Sequence, residues 1–273
     1  MKSINNIKYS FVAVVFAFLI LSGCHQTNSG NPQAFVGLHF NSYVYDTVLD
    51  PVGYTTQAFP DSLGRVEHLS VAQFYLTNLG FRNKSTQQWY TIPGSIILKR
   101  IDNELYPVGN IPAGTYDAIQ FTVGLGNTLN SKTPSWYTTG GPDTVLSATE
   151  QAVMWLSNMA GSSATTGYTF MNVQGYDSTD HLPFNYQIGG YGDTVQVTLP
   201  FPAGFTLAAD EPSVLQLIHV IADYGKLLQV IRPITPANNN STFYGPSPGP
   251  ANTLLNNIIN MFRYECTSPT TLC

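Results

Sequence analysis

Charged residues of both signs are scarce in this sequence, and the scarcity excludes several classes of protein. Its 273 residues include 11 Lys and Arg against 16 Asp and Glu, so the formal net charge is −5. A nucleic-acid-binding protein needs a basic surface that displaces counterions, and this composition does not supply one. The hydrophobic fraction of 43% is enough to fill a core, which argues against a disordered polyelectrolyte.

Cysteine is scarce too: the three cysteines are Cys24, Cys266 and Cys273. No disulfide can therefore cross-link the middle of the chain, and a domain of this size does not need one. In an exported protein, Cys266 and Cys273 can close a small disulfide loop. Two free thiols, or ligands to a soft metal, are the open alternatives.

Long hydrophobic runs are missing as well. The longest, at residues 11–21 (FVAVVFAFLIL), has 11 residues. A membrane-spanning helix needs about 20, so this run instead has the length of a signal-peptide core, preceded by Lys2 and Lys8. Small residues then lead into Cys24, and LSGC at 21–24 resembles the lipobox of bacterial lipoproteins. In such proteins the cysteine is lipidated and becomes the first residue after cleavage. The alternative is an uncleaved anchor with a chance cysteine.

These features predict a signal peptide at 1–23, a flexible tether at 24–33, a folded domain at 34–264 and a cysteine-containing tail at 265–273. A multiply acylated Cys24 would anchor the chain lastingly in a membrane. Because His25 and Gln26, rather than Asp, follow Cys24, we expect the outer membrane, with the domain facing the periplasm.

The body of the chain favours β-structure. Short segments rich in β-branched and aromatic residues alternate with Gly and Pro turns, as at 93–94, 112–114 and 202–204. This pattern predicts an all-β, antiparallel β-sandwich. The predicted strands are 34–44, 71–81, 95–101, 115–123, 167–173, 184–188, 194–199 and 214–222.

Three segments depart from the strand pattern. Residues 124–141 are polar and predict a long loop, whereas 233–250 are rich in Pro, Asn, Ser and Gly and predict a linker. In the segment 251–264, apolar residues recur at helical spacing, which predicts a short amphipathic helix that docks on the sandwich. The apolar residues are Leu254, Leu255, Ile258, Ile259 and Phe262.

Catalytic signatures are missing: there is no phosphate-binding loop, no GxSxG elbow and no HExxH motif, so we expect no enzyme activity. Asp177, Asp180 and His181 cluster in one polar segment and could hold a hard cation, although a solvated turn is the simpler interpretation.

Two histidines stand out because each lies between apolar residues of a predicted strand. They are His39, between Leu38 and Phe40, and His219, between Ile218 and Val220. A lone strand histidine is more often structural than a ligand, and the pair gains significance only if the fold brings both together. Imidazole suits copper or zinc, and sulfur from Met154, Met159, Met171 or Cys266 would suit Cu(I). Methionines in β cores usually fill gaps.

The order of several short motifs resembles the MbnP-like copper-binding protein family, over about residues 34–264. No single motif is decisive, but seven in the right order are hard to obtain by chance. They are LHFN at 38–41, FYLTNL at 74–79, IPAGTYDAIQFTVG at 111–124, VMW at 153–155 with GYTFMNVQG at 167–175, FNYQIGG at 184–190, HVIAD at 219–223 and NIINMF at 257–262.

The resemblance implies a single β-sandwich that binds copper in the periplasm. It also implies that a tryptophan near the site is oxidised to kynurenine by a partner di-haem enzyme, and Trp155 occupies that position. An aniline nitrogen would then join imidazoles, which copper accepts well. His39 and His219 match histidine-bearing segments of the family.

The chain departs from the family pattern at several of the positions that would form the site. Gln187 replaces the histidine of the family's YHIGG segment, and an amide is a poor exchange for imidazole. Ser157 replaces a second tryptophan, and cysteines stand where the family carries histidines after the helix. Either the site is rebuilt, with Cys266 as a thiolate ligand, or the scaffold has lost the metal.

Two functional hypotheses follow. The first is a copper-binding envelope lipoprotein, with His39, His219, Trp155, Gln187 and Cys266 as candidate ligands. The second is a metal-free β-sandwich module that binds a protein or glycan partner at the envelope. Convergence of the candidate ligands in the folded chain separates the two.

Overall fold

The computed structural model describes residues 33–61, 64–92, 94–132, 136, 168–179, 182–190, 194–207, 215–229, 241–243, 250–268 and 273. Several residues singled out in the sequence lie outside these ranges. They are Cys24, Met154, Trp155, Ser157, Met159, Asp180 and His181.

Strands dominate the described residues, and the predicted all-β sandwich with a short C-terminal helix is confirmed. The strands are β1 (Gln33–Val44), β2 (Thr47–Val48), β3 (Phe59–Pro60), β4 (Val66–Asn83), β5 (Trp89–Thr91), β6 (Ile96–Arg100), β7 (Leu105–Pro112), β8 (Gly114–Val123), β9 (Thr169–Asp177), β10 (Leu182–Gly189), β11 (Val195–Leu207), β12 (Gln216–Asp223), β13 (Ser241–Phe243) and β14 (Phe262–Ser268). The helices are α1 (Asn127–Asn130), α2 (Tyr224–Leu228) and α3 (Pro250–Met261).

Within the described residues, these strands form two sheets. The first has the order β14-β12-β1-β2. In this sheet β7 also pairs with β1, along residues 33–39. The second has the order β11-β8-β4-β9-β10-β13, while β3, β5 and β6 also pair with the long strand β4. Most pairs are antiparallel, as predicted, but β1 pairs with β12 in parallel, and β10 pairs with β13 in parallel.

The core lies between the two sheets and is built by alternation. Along β1, Val36, Leu38 and Phe40 are fully buried in one hydrophobic cluster, because successive side chains of a strand point to opposite faces. The rings of Phe40 and of Phe74 on β4 meet edge-on with centroids 6.4 Å apart, which joins the sheets. Phe262 of β14 packs edge-on against Phe74 at 5.4 Å.

Helix α3 closes the core with one face, as its apolar spacing predicts. Leu254, Ile258 and Met261 are almost completely buried, whereas Ile259 is 54% exposed. The buried positions follow an i, i+4, i+7 spacing, so the face is narrower than the five-residue stripe in the sequence. No helix among the described residues has the length and apolar character needed to cross a bilayer.

The end of α3 is where the structure departs most from the predicted elements. The helix stops at Met261, and Phe262–Ser268 form β14, which pairs with β12. Residues 262–268, which were predicted as the end of a helix and the start of a tail, instead form the edge strand of the first sheet. They do so because their backbone pairs with that of β12. Likewise, residues 241–243 of the predicted linker form β13, and 127–130 of the predicted loop form α1.

Candidate functional site: a paired-histidine cluster

His39 and His219 are neighbours because β1 and β12 pair in parallel. Their Cα positions are directly opposite in the register, as are Leu38 with Ile218 and Phe40 with Val220. The four apolar residues belong to the core, so the alternation of side chains turns both histidines to the opposite face of the first sheet. The structure therefore brings together two residues that are 180 positions apart in the chain.

The two imidazoles form a compact buried pair. Their ring centroids lie 4.8 Å apart with the planes tilted by 52°. His39 is 5% exposed and His219 is fully buried. The Nδ1 atom of His39 is buried and has no hydrogen-bond partner within the described residues. A buried nitrogen without a partner costs free energy, unless a ligand occupies it.

Electrostatics keep His39 in the form that donates an electron pair. Burial lowers the pKa of His39, and the nearby His219 and Lys99 lower it further, while Glu265 opposes them. His39 is consequently a neutral imidazole at neutral pH, which is the state that metal ions require.

Two carboxylates lie near the pair. Glu104 precedes β7, with its Oε2 atom 3.9 Å from Nε2 of His39, and the backbone N–H of Phe40 donates to the Glu104 carbonyl at 2.8 Å. Burial raises the pKa of Glu104, although Lys99 opposes this shift. Glu265 of β14 accepts a hydrogen bond from Asn41. Negative charge near the imidazoles favours a cation bound there.

Cys266 lies beside His219 because β14 carries an irregularity in its register. Ile218 pairs with Thr267 and Val220 pairs with Tyr264, so Glu265 and Cys266 together oppose His219. A bulge of this kind re-aims a side chain. The structure has a disulfide between Cys266 and Cys273, with Cα atoms 6.0 Å apart. A ring nitrogen of His219 and the two sulfurs all lie within 4.8 Å of one another.

On the core side of the same strands lies a second buried group, Lys99 of β6. It is fully buried, and its Nζ donates to Oγ of Ser42 and to the carbonyl of Asn103, each at 3.1 Å. It also donates to the Arg100 carbonyl. Burial lowers the pKa of Lys99 to about 7, against the opposing effect of Glu104 and Asp102. The positive end of this side chain thus lies under the strand that carries His39.

Gln187 is not part of this cluster. It lies on β10 in the second sheet, between core residues Tyr186 and Ile188, and its side chain alternates away from them. Its Oε1 atom is buried without a hydrogen-bond partner among the described residues. Gln187 and the histidine pair thus lie on different sheets.

Two other candidate residues are buried within the folded domain. Met171 is a core residue, 1% exposed, in agreement with its interpretation as a gap filler. Asp177 is completely buried rather than solvated, and its Oδ1 atom accepts the backbone N–H of Thr179 at 2.8 Å. Asp180 and His181 lie outside the described residues, and so most of the predicted cluster lies outside them too. The same applies to Trp155 and to Cys24.

Sequence reasoning missed Glu104, Glu265 and Lys99. None of them stands in a motif, and Glu104 lies between two strands that pair with different sheets. A weak signal was present for Lys99, a cation directly after the apolar residues at 96–98 in a strand. Burial of such a cation is unusual and points to an organised site.

Comparison with known proteins shows which family the chain matches. A family model described as MbnP matches residues 33–244. Among solved structures, MbnP from Methylosinus trichosporium matches with a TM-score of 0.48 and 12% identity, over 80% of this chain and 82% of that one. No curated protein matches the chain. The family match includes His39 and His219, whereas Cys266 and Cys273 lie beyond it.

Proposed function

Because the chain belongs to the MbnP family, we propose that it binds copper through His39 and His219, as a lipid-anchored protein of the cell envelope with a role in copper homeostasis. The observation that carries this proposal is the register of β1 and β12, which leaves the two imidazoles 4.8 Å apart. Copper is the cargo here, and the role is binding rather than catalysis.

The donor set fits the metal. The partnerless Nδ1 of His39 is a buried polar atom that a metal ion would satisfy, and the neutral state of this imidazole requires no proton to leave before binding. Imidazole nitrogen is a ligand that copper accepts readily. Two imidazoles at this separation can both reach one ion.

The surroundings support the same role. Glu104 and Glu265 place negative charge near the pair, which would offset the charge of a bound cation. Both histidines are nearly closed off from solvent, so water competes weakly for the ion. By family resemblance, kynurenine formed from Trp155 by a di-haem enzyme would add a further nitrogen donor.

The membrane anchor is proposed from the sequence. Cys24 follows a short apolar run and small residues, and acylation there would hold the domain at the outer membrane, facing the periplasm. In a bacterial host, metabolic labelling with a fatty acid should mark the wild-type protein. Cys24→Ala should abolish the label, and a label that persists would contradict the anchor.

The test of the copper site is a titration of the purified protein with Cu(I), in competition with a chromogenic chelator. We expect stoichiometric binding to the wild type and its loss in His39→Ala and in His219→Ala. His68→Ala is the matched control, because His68 lies on β4 and stacks on Tyr176 with ring centroids 4.5 Å apart. Circular dichroism checks that each variant is folded.

Absence of stoichiometric binding by the folded wild type would contradict the proposal. A metal-free binding module for a protein or glycan partner would then be the surviving hypothesis. Equal loss in all three variants would also contradict it, because it would show that copper is held by scattered histidines rather than by the pair.

A further inference from the structure

The Cys266–Cys273 disulfide lies against the paired-histidine cluster, and its position does not suggest a structural staple. The loop that it closes spans a sequence separation of only 7. A cross-link that closes so short a loop restricts the unfolded chain least. The two sulfurs instead lie within 4.8 Å of a ring nitrogen of His219, which in turn adjoins His39.

The strand that carries Cys266 does not depend on this bond. Tyr264 pairs with Val220 on one side of Cys266, and Thr267 and Ser268 pair with Ile218 and Leu217 on the other. The hydroxyl groups of Tyr264 and Thr267 also lie 3.0 Å apart. We therefore expect Cys266 to stay beside His219 when the disulfide is opened.

We propose that this disulfide is reducible and that its reduction converts the paired-histidine cluster into a mixed thiolate–imidazole site for a soft metal ion. In the oxidised chain the imidazoles are the donors. In the reduced chain the thiolates of Cys266 and Cys273 join His219. This inference rests on the proposed copper function and adds the regulation of that same site.

The reductant is a protein dithiol of the thiol–disulfide oxidoreductase class. One of its thiolates attacks Sγ of Cys273, because Cys273 is exposed whereas Cys266 is half-buried. The bond between the two cysteines breaks, and Cys266 leaves as a thiolate next to His219. The second thiol of the reductant then resolves the mixed disulfide and frees Cys273.

Two electrons pass from the reductant to this chain, and a disulfide forms in the reductant in place of the one that is lost. Its two thiol protons go to Cys266 and Cys273, and to solvent when a metal ion takes the thiolates. Thiolate is a softer ligand than imidazole, and soft ligands select Cu(I). A disulfide sulfur has no such negative charge, so the redox state of this pair sets the affinity of the site.

The experiment uses the full chain in detergent with Cys24→Ala, so that Cys266 and Cys273 are the remaining cysteines. Cu(I) affinity is measured before and after reduction by dithiothreitol and its anaerobic removal. We expect reduction to raise affinity by on the order of tenfold or more. Added Co(II) should give thiolate-to-cobalt charge-transfer absorption in the reduced protein, and none in the oxidised protein.

The matched variant adds Cys266→Ser and Cys273→Ser, and it should show one affinity whatever the reductant and no charge-transfer absorption. If the oxidised protein binds Cu(I) through His39 and His219 but reduction changes nothing, the redox inference is wrong and the copper proposal stands. If only the reduced protein binds, the copper proposal in its imidazole-only form is wrong, and the part of the inference that concerns the thiolate–imidazole site of the reduced chain stands. If neither form binds, both are wrong.

Circular dichroism of the reduced protein separates a ligand role from a structural one. We expect the β-sheet spectrum to survive reduction, because β14 remains paired with β12. A reduced chain that loses this spectrum would show that the disulfide holds the fold, and it would overturn the inference.

Discussion

His39 and His219 occupy the same register position on two parallel, directly paired strands, with ring centroids 4.8 Å apart. Each is flanked by core residues, so the backbone orientation that buries Leu38, Phe40, Ile218 and Val220 also sets the direction of both imidazoles. The hydrophobic core thereby sets the positions of the candidate ligands.

Glu104 should strengthen copper binding without contacting the ion. Its Oε2 lies 3.9 Å from Nε2 of His39, so Glu104→Gln removes the charge and keeps the shape. We expect the Cu(I) affinity to fall by about tenfold, the lower end of the effects seen for outer-shell carboxylates. The measurement is the chelator-competition titration.

Asp102→Asn is the control for Glu104→Gln, since Asp102 is partly exposed and pairs with Arg100 instead. That variant should bind copper as the wild type does. Equal losses in the two variants would indicate a general effect of negative charge and contradict a specific role for Glu104.

Lys99 should make the stability of the protein rise with pH above neutrality. The folded chain releases the Lys99 proton above about pH 7, whereas the unfolded chain keeps it up to the ordinary pKa of 10.5. Between these values the unfolded state holds more protons, so raising the pH favours the folded state, by up to about 1 kcal/mol per pH unit. Urea unfolding from pH 7 to pH 10 measures this slope.

In Lys99→Met this part of the slope should disappear, because methionine carries no titrating group. The difference between the two slopes is the quantity to compare, since contributions from all other groups are common to both proteins. Identical slopes would mean that Lys99 keeps its ordinary pKa in the folded chain.

Gln187→His should not improve copper binding, although it restores the residue found in the related family pattern. Position 187 lies on β10 in the second sheet, and the histidine pair lies on the first. We expect unchanged Cu(I) affinity and stoichiometry at the tight site. A marked gain in affinity would show that position 187 does reach the ion and that the assignment of the site to one sheet is wrong.

Helix α3 offers two adjacent isoleucines in opposite environments. Ile258 is fully buried in the core, and Ile259 is 54% exposed. Ile258→Ala should lower the free energy of unfolding by about 2–4 kcal/mol through the cavity that it leaves. Ile259→Ala should cost less than about 0.5 kcal/mol. Chemical denaturation measures both, and similar values would contradict the docking of α3 through this face.

Much of the fold was predictable, because alternation of apolar residues is a local signal. The strands at 34–44, 115–123 and 184–188 and the helix after residue 250 appear close to their predicted positions. The strand β14 was not predictable in this way. Its seven residues have weak alternation, and they become a strand because β12 has a free edge beside them.

The candidate site, like the fold, was predictable only in part from the sequence. The sequence alone determined that His39 and His219 lie on strands between apolar neighbours, since neighbouring residue types set the local conformation and the buried face. Only the tertiary structure decided that they meet, that Gln187 lies on the other sheet, and that Glu104 and Cys266 lie close to the pair. The reason is that the register between strands is set by the packing of a whole sheet, over separations that no local pattern encodes.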